Sequence, residues 1–385
     1  MSSGRVILFG ATGYTGHLTA EALARRGVPG TILAGRNAPR LRRLADTLEE
    51  AHDWQCEIAE ADVSTPVSVN ELVDSPQDIL ISTVGPFTRF GKPAIEAATS
   101  TGAVYIDSTG EPPFVRRVFE HYGPRAKRTG ASLITAFGYD YVPGNLAGLL
   151  AIRAAEADGF IPTRVDVGYF VQKTADTRRL VSGGTLASSL AIMTEPSFAF
   201  RNGALATVRP AADVRSFTID GRQWDALSIG GTENFTLPEV EPRLRDVRVF
   251  IGWAGSRTRT VSTVGRILEP FTRLPVLPGM ATALAARIAP GSTGGPAPED
   301  RASARTCVVA EAFTGDRRIS SVTVTGPSPY DLTADLLAWA ADTARRGGLG
   351  AGAARRSGAL GPVEAFGEDA FVVGASSIGL TATDE

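Results

Sequence analysis

The residues best suited to chemistry lie near the start of the chain. Gly10-Ala11-Thr12-Gly13-Tyr14-Thr15-Gly16 spaces its glycines as G-x-x-G-x-x-G, a variant of the dinucleotide-binding G-x-G-x-x-G with the middle glycine one place later. Each glycine does something a Cβ would obstruct: a tight turn, a close backbone approach to a pyrophosphate, and close helix–strand contact. Thr12, Tyr14 and Thr15 complete the turn as cofactor contacts, and the pyrophosphate rests on the N–H groups and positive dipole end of a helix starting near Tyr14. About 20 residues further on, an NAD enzyme carries an acid for the ribose 2′-hydroxyl. Here Ala34-Gly35-Arg36-Asn37 offers an arginine, whose fork of donors suits a 2′-phosphate, so NADP(H) is the expected cofactor. The plainer alternative is an ordinary strand–helix turn, with Arg36 on a solvated loop of an arginine-rich chain.

Regular alternation of elements has to position these groups. Short apolar strands are expected at 5–9, 31–34, 55–59, 78–84, 103–106 and 132–136, separated by helices at 18–26, 39–50 and 92–100, a helix from about Val67, and one before the last strand. This is the βαβ pattern of a doubly wound parallel sheet, a Rossmann fold. In such sheets ligands meet the carboxyl ends of the strands. That rule places Asp62 at the adenine edge, or else as a helix cap, and puts Thr83, Val84, Gly85 and Pro86 beside the nicotinamide half of the cofactor. Phe87 and Asp107 are candidate substrate contacts, and Glu111 joins them unless, like Asp107, it caps the following helix.

The loop Phe137-Gly138-Tyr139-Asp140-Tyr141 leaves the last of these strands and enters a second domain, a position where pockets tend to form. Tyr139, Asp140 and Tyr141 are therefore the candidate catalytic residues: either tyrosine to donate a proton or hold an oxyanion, the aspartate to exchange a proton. The competing expectation is that both tyrosines pack and Asp140 caps a helix at Asn145. Beyond Gly144 the pattern is a helix at 145–157 and strands at 164–171, 207–217, 222–228 and 247–253, with a helix at 186–193, which suits an α+β domain with a mostly antiparallel sheet. Ser182-Gly183-Gly184-Thr185 before that helix could form an anion nest for a substrate, with Thr185 alternatively a plain cap. A hairpin turning at Gly315-Asp316 joins strands at 306–314 and 318–325, a helix follows at 330–345, and 347–361 reads as loose. The expected organisation is a Rossmann domain at 1–143, an α+β substrate and dimerisation domain at 144–325, and a helical tail at 326–385 packing back on the Rossmann domain.

Composition excludes several classes. All but three of the 39 basic residues are arginine, and 41 acids bring the net charge to -2, without the basic excess of a nucleic-acid binder. Two cysteines and three scattered histidines leave no disulfide framework and no metal site of ordinary spacing. No apolar run reaches the ~18 residues of a membrane span, and the N-terminus lacks the apolar region of a signal peptide, so a cytoplasmic chain is expected. No Tyr-x-x-x-Lys arrangement is present, which argues against the short-chain dehydrogenase mechanism. Scarcity of Lys and His leaves tyrosine, aspartate or water to handle protons.

Taken in order, Gly10 to Gly16, Ala34-Gly35-Arg36, Val84-Gly85-Pro86-Phe87, Tyr105 to Glu111, Gly138-Tyr139-Asp140 to Pro143, Ser182 to Thr185, and the tail segments 326–330 and 361–367 resemble the saccharopine dehydrogenase-like oxidoreductases. Within that family they are most similar to the trans-acting enoyl reductases of actinobacterial lipid and polyketide pathways. The resemblance implies a Rossmann domain with NADP(H), a second α+β domain carrying a homodimer contact, and a small-molecule or carrier-bound substrate. Its departure is at Tyr141 and Gly144-Asn145, where family members often have small residues and an acid, which implies a bulkier, less acidic pocket mouth. The leading expectation is an NADPH-dependent reductase of a C=C or C=N bond in a hydrophobic or carrier-linked metabolite. The alternatives are a saccharopine-type dehydrogenase acting on an amino acid and aldehyde adduct, and a non-catalytic nucleotide-binding protein.

Overall fold

The computed structural model describes residues 4–173, 196–252, 294–350 and 356–384. The chain first alternates strand and helix: β1 (Val6–Phe9), α1 (Tyr14–Arg25), β2 (Thr31–Gly35), α2 (Ala38–His52), β3 (Glu57–Glu60), α3 (Pro66–Asn70), β4 (Ile79–Ser82), α4 (Phe87–Phe90), α5 (Lys92–Thr101), β5 (Val104–Asp107), α6 (Pro112–Arg117), a π-helical turn (Val118–Tyr122), α7 (Gly123–Thr129) and β6 (Ser132–Ile134). A strand-rich stretch follows: α8 (Val142–Ala157), β7 (Arg164–Lys173), β8 (Ser197–Arg201), β9 (Ala204–Val208), β10 (Val214–Ile219), β11 (Arg222–Ile229), α9 (Glu233–Val240), β12 (Asp246–Ile251), α10 (Pro298–Ala302), β13 (Ala304–Thr314) and β14 (Arg317–Gly326). The chain closes with α11 (Pro329–Arg345), β15 (Gly358–Ala359), α12 (Pro362–Phe366), α13 (Glu368–Ser377) and β16 (Thr381–Asp384).

Two units share these elements: Met1–Gly110, Phe114–Asp140 and Tyr330–Ile378 form the first, and Glu111–Pro113, Tyr141–Pro329 and Gly379–Glu385 the second. The first unit holds a parallel sheet in the order β15-β6-β5-β4-β1-β2-β3. Strands β1, β2, β4 and β5 are buried along their whole length, as apolar runs in a doubly covered parallel sheet must be. Because β1 lies between β2 and β4, the strand order reverses there, and the ends of β1 and β4 carry Gly10 and Thr83. Helix α2 shows the local rules at work: Asn37 caps it by accepting the Arg40 N–H at 2.9 Å, and Leu41, Leu44 and Leu48 turn inward at helical spacing. The segment 347–361, expected to be loose, instead supplies β15, which pairs with β6 through Gly358 and Ser132. Ser132 Oγ donates to the Arg356 carbonyl oxygen at 2.6 Å, so a short polar contact anchors what composition alone made look irregular.

The second unit is built on the sheet β10-β11-β12-β7-β13-β14-β16, with β8 pairing to β12 and β9. Only β12 and β7 run parallel among these pairs; the others are antiparallel. The expected strand at 207–217 is two strands here. Pro210 lacks the N–H a ladder needs, Ala211 takes φ +50, and the chain breaks between β9 and β10. Helix α9 and strand β8 were not foreseen. The expected helix at 186–193 lies outside the described residues.

Candidate functional site

The glycine turn is closed to side chains. Gly10 takes φ +92, and a Cβ there would come 2.7 Å from Thr83 Oγ1 and 2.9 Å from Val84 Cγ2. A Cβ on Gly16 would be driven into the Gly10 carbonyl oxygen. The turn is held by the Gly13 N–H donating to the Gly10 carbonyl at 2.9 Å and by Gly10 and Ala11 donating to Ala34. Thr83 braces it from β4, its hydroxyl donating to the Phe9 and Gly10 carbonyl oxygens at 3.2 and 3.3 Å. Thr12 Oγ1 reaches toward Gly35 at the end of β2. Helix α1 has no side-chain cap at Gly13 and no acid in its first turn, so the helix supplies no negative charge to its own positive end. A glycine cradle ahead of such a helix end fits a dinucleotide pyrophosphate.

Arg36 follows the last residue of β2 and is exposed. Asp62 stands beyond the end of the neighbouring β3. Its carboxylate accepts the Ser64 N–H and hydroxyl, both at 2.8 Å. Those two bonds, with the Arg36 charge behind them, hold it below the usual aspartate range. Arg36 and Asp62 therefore share one corner of the sheet edge, with Asp62 committed to its own turn.

At the ends of β4 and β5 the expected substrate contacts turn inward. Pro86 precedes the short α4, and the Gly85–Pro86 peptide is cis. The Phe87 ring packs in the core on Phe114, centroids 5.6 Å apart. Asp107 is fully buried and accepts from the Thr109 N–H (2.9 Å), the Ala136 N–H (2.9 Å) and the Thr135 hydroxyl (2.7 Å). Burial outweighs these donors and lifts its carboxyl to about 6. Asp107 thus ties together the loops that follow β5 and β6. Glu111 is also buried.

The loop after β6 carries the group with the most chemical freedom. Asp140 lies over Gly110, where a Cβ would come 2.6 Å from Asp140 Oδ2. Its Oδ1 is buried without a hydrogen-bond partner among the described residues, and burial raises the carboxyl to about 7. Tyr139 is buried beside it, its N–H donating to Thr333 Oγ1 of α11 at 3.0 Å. Beneath the loop, Phe137 stacks on Trp339 at 6.1 Å and meets Phe366 at 5.5 Å. The tail helices α11 and α12 thereby support it.

Tyr141 belongs to the second unit. It precedes α8, is 1% exposed, and meets the Tyr169 ring edge-on at 5.8 Å. The Tyr169 hydroxyl donates to Glu233 Oε1 and accepts the Gly144 N–H at 2.9 Å. Asn145 bonds Thr232 Oγ1 (2.9 Å), the Tyr141 carbonyl (2.8 Å) and Thr236 (2.5 Å). A Cβ on Gly144 would strike the Tyr169 hydroxyl and the Glu233 carboxylate. The bulk of Tyr141 is thus packed inward rather than set at a pocket mouth, and α8 begins at Val142, so Asp140 does not cap it at Asn145. Sequence reasoning passed over Glu233 because it is one acid among many; its burial at the start of α9 is visible only in the fold. Ser182, Gly183, Gly184 and Thr185 lie outside the described residues.

Residues 6–134 match the family model for the saccharopine dehydrogenase NADP binding domain. These residues form an NADP-binding domain similar to that of the family. Its matched span runs from β1 through β6 and includes the glycine turn, Arg36, Thr83 and Asp107. Proteins named trans-acting enoyl reductase from Mycobacterium ulcerans and Mycobacterium tuberculosis are 37% identical over 188 residues, 48% of this chain and 43% of theirs. A second Mycobacterium tuberculosis protein of the enoyl reductase name is 37% identical over 201 residues, 50% of this chain and 45% of its own. The matches thus span less than half the length of these relatives. In fold the chain is similar to apo saccharopine dehydrogenase (L-Glu forming) from Saccharomyces cerevisiae, with TM-score 0.64 at 14% identity over 99% of this chain and 100% of that one. It is also similar to homospermidine synthase from Legionella pneumophila, solved with NAD, with TM-score 0.58 at 10% identity over 100% and 92%. Among the described residues no helix is long and apolar enough to cross a membrane, and no group of three His, Cys, Asp or Glu side chains could hold a metal ion.

Proposed function

We propose that this chain is an NADPH-dependent reductase that saturates the C=C bond of an enoyl group on a hydrophobic or carrier-linked metabolite. The observation that carries the proposal is Asp140: a carboxyl whose Oδ1 is buried and has no partner among the described residues, raised to about 7, in the same unit as the closed glycine turn. A group that titrates near neutrality and spends no hydrogen bond on the described residues is suited to deliver a proton.

In this scheme the turn from Gly10 to Gly16 and the N-terminus of α1 hold the pyrophosphate, Arg36 takes the 2′-phosphate, and Thr83 to Pro86 border the nicotinamide. NADPH held there supplies a hydride. That hydride would go to the enoyl carbon remote from the carbonyl, and Asp140 Oδ1 would hold the proton for the carbon beside it, so that hydride and proton together would saturate the bond. Tyr139 flanks Asp140, while Tyr141 works as a packed anchor at the head of α8. The names of the Mycobacterium relatives support an enoyl substrate, and "trans-acting" suits one presented on a separate carrier, in lipid, polyketide or other secondary metabolism. A homodimer in the cytoplasm completes the proposal. It is tested by following NADPH oxidation with an enoyl thioester, against a parallel assay of amino acid plus aldehyde, which a saccharopine-type enzyme would prefer.

A further inference from the structure

Helix α11 comes from the far end of the chain, yet it reaches both the cofactor turn and the loop of the proposed acid. At its start the Tyr330 ring meets the Tyr14 ring edge-on, centroids 5.1 Å apart, and Tyr14 stands inside the glycine turn. One turn later, Thr333 Oγ1 accepts the Tyr139 N–H at 3.0 Å. The Thr333 side chain fills the space above Gly138, where a Cβ would come 2.8 Å from its Cγ2 and 2.9 Å from its Oγ1. Asp335 then accepts from Arg25 of α1 at 2.6 Å. The first two turns of α11 therefore touch the residues that open the site and the residues beside Asp140.

We infer that Thr333 is a positioning residue for Asp140, and that α11 is the physical link between the cofactor turn and the acid. The inference rests on the proposal that Asp140 delivers the proton. Gly138 gives the loop a flexible joint two residues before Asp140, and a backbone N–H at Tyr139 fixed to a side-chain oxygen removes that freedom. The hydroxyl of Thr333 carries no charge, so it acts on Asp140 through geometry. It sits on a helix whose other contact is Tyr14, so filling the turn bears on the loop through one rigid element.

The test uses the full chain loaded with NADPH and the variants Thr333→Val, which keeps the shape and loses the oxygen, and Thr333→Ser, which keeps the oxygen. Two readouts are taken: hydrogen exchange of the peptide covering 136–141, and the single-turnover rate of enoyl thioester reduction. For Thr333→Val we expect faster exchange at this peptide and a reduction step roughly ten- to hundredfold slower, with the NADPH dissociation constant changed no more than about twofold. Thr333→Ser restores both readouts. Should Thr333→Val fail to fold, Thr333→Ala is read in its place. Wild-type exchange and rate in the oxygen-less variant, or failure of Thr333→Ser to restore them, overturns the inference. If the wild-type chain binds NADPH but reduces no enoyl thioester, the proposed function fails, and exchange alone still decides whether Thr333 holds the loop.

Discussion

The ring of Tyr14, in the middle of the glycine turn, meets the ring of Tyr330 edge-on at 5.1 Å with the planes 85° apart. A residue of the glycine turn is thus in contact with a helix from the C-terminal part of the chain, the same helix that bonds the Tyr139 N–H. The first unit accordingly draws on three sequence segments.

Arg36 is exposed at the sheet edge, so its replacement perturbs little besides ligand binding. Arg36→Ala should weaken NADPH by about 1.5–3 kcal/mol, the value of hydrogen bonds to a charged partner. NADH affinity should stay nearly level. Calorimetric titration with both cofactors measures the difference, and parallel losses would remove Arg36 from the 2′-phosphate.

Gly16→Ala places a methyl against the Gly10 carbonyl oxygen, whereas the methyl of Gly13→Ala would stand 3.2 Å from the same atom. The Gly16 variant should lose about 1–3 kcal/mol of stability through overpacking and bind NADPH poorly. The Gly13 variant should be milder in both respects. Thermal melting with and without NADPH distinguishes them.

Burial raises Asp140 to about 7 and Asp107 to about 6 from an ordinary 3.8. Between the unfolded and folded values the folded chain binds protons that the unfolded chain has released. Their contribution to stability is therefore full below the unfolded value and is lost as pH rises through the folded ones. Asp140→Asn removes one of the two groups, so the variant should melt above wild type at about pH 8, with the gap narrowing as pH falls through about 7 and closing only near about pH 4. Turnover of wild type should fall as pH rises through about 7 while Asp140 loses its proton, and the residual rate of the variant should lack that limb.

In the second unit, Tyr169→Phe takes the hydroxyl away from both the Glu233 carboxylate and the Gly144 N–H. Buried groups left without a partner cost about 1–3 kcal/mol. The urea midpoint should drop accordingly, and an unchanged midpoint would show that the network is not a stability element.

Much of the first unit was legible because its signals are local. Gly10, Gly13 and Gly16 announce the turn, whose first and last glycines leave no room for a Cβ, and Asn37 with Pro39 marks the start of α2. The apolar runs around Ile7 and Ile81 are short enough to be strands and lack the alternation of a sheet with one wet face. Break points in the second unit were harder. Asn202-Gly203, with φ of 54 and 80, is a hairpin signal that places β8 and β9, and Pro210 divides β9 from β10. The inward turn of Asp107 was not legible, since a strand-end acid reads equally as ligand contact or loop anchor until its donors are seen. Thr333 gave no local signal at all, because its partner Tyr139 lies in a distant segment and the contact exists only once α11 has packed.

The most direct measurement is the oxidation of NADPH by the purified chain in the presence of an enoyl thioester, with the product analysed by mass spectrometry using cofactor carrying deuterium in the transferable position. The proposed reduction predicts NADPH consumption matched by saturated thioester, one deuterium in the product on the carbon remote from the carbonyl, and only a small residual rate in Asp140→Asn. Tight NADPH binding without any transfer of deuterium, or equal turnover in Asp140→Asn, would contradict it.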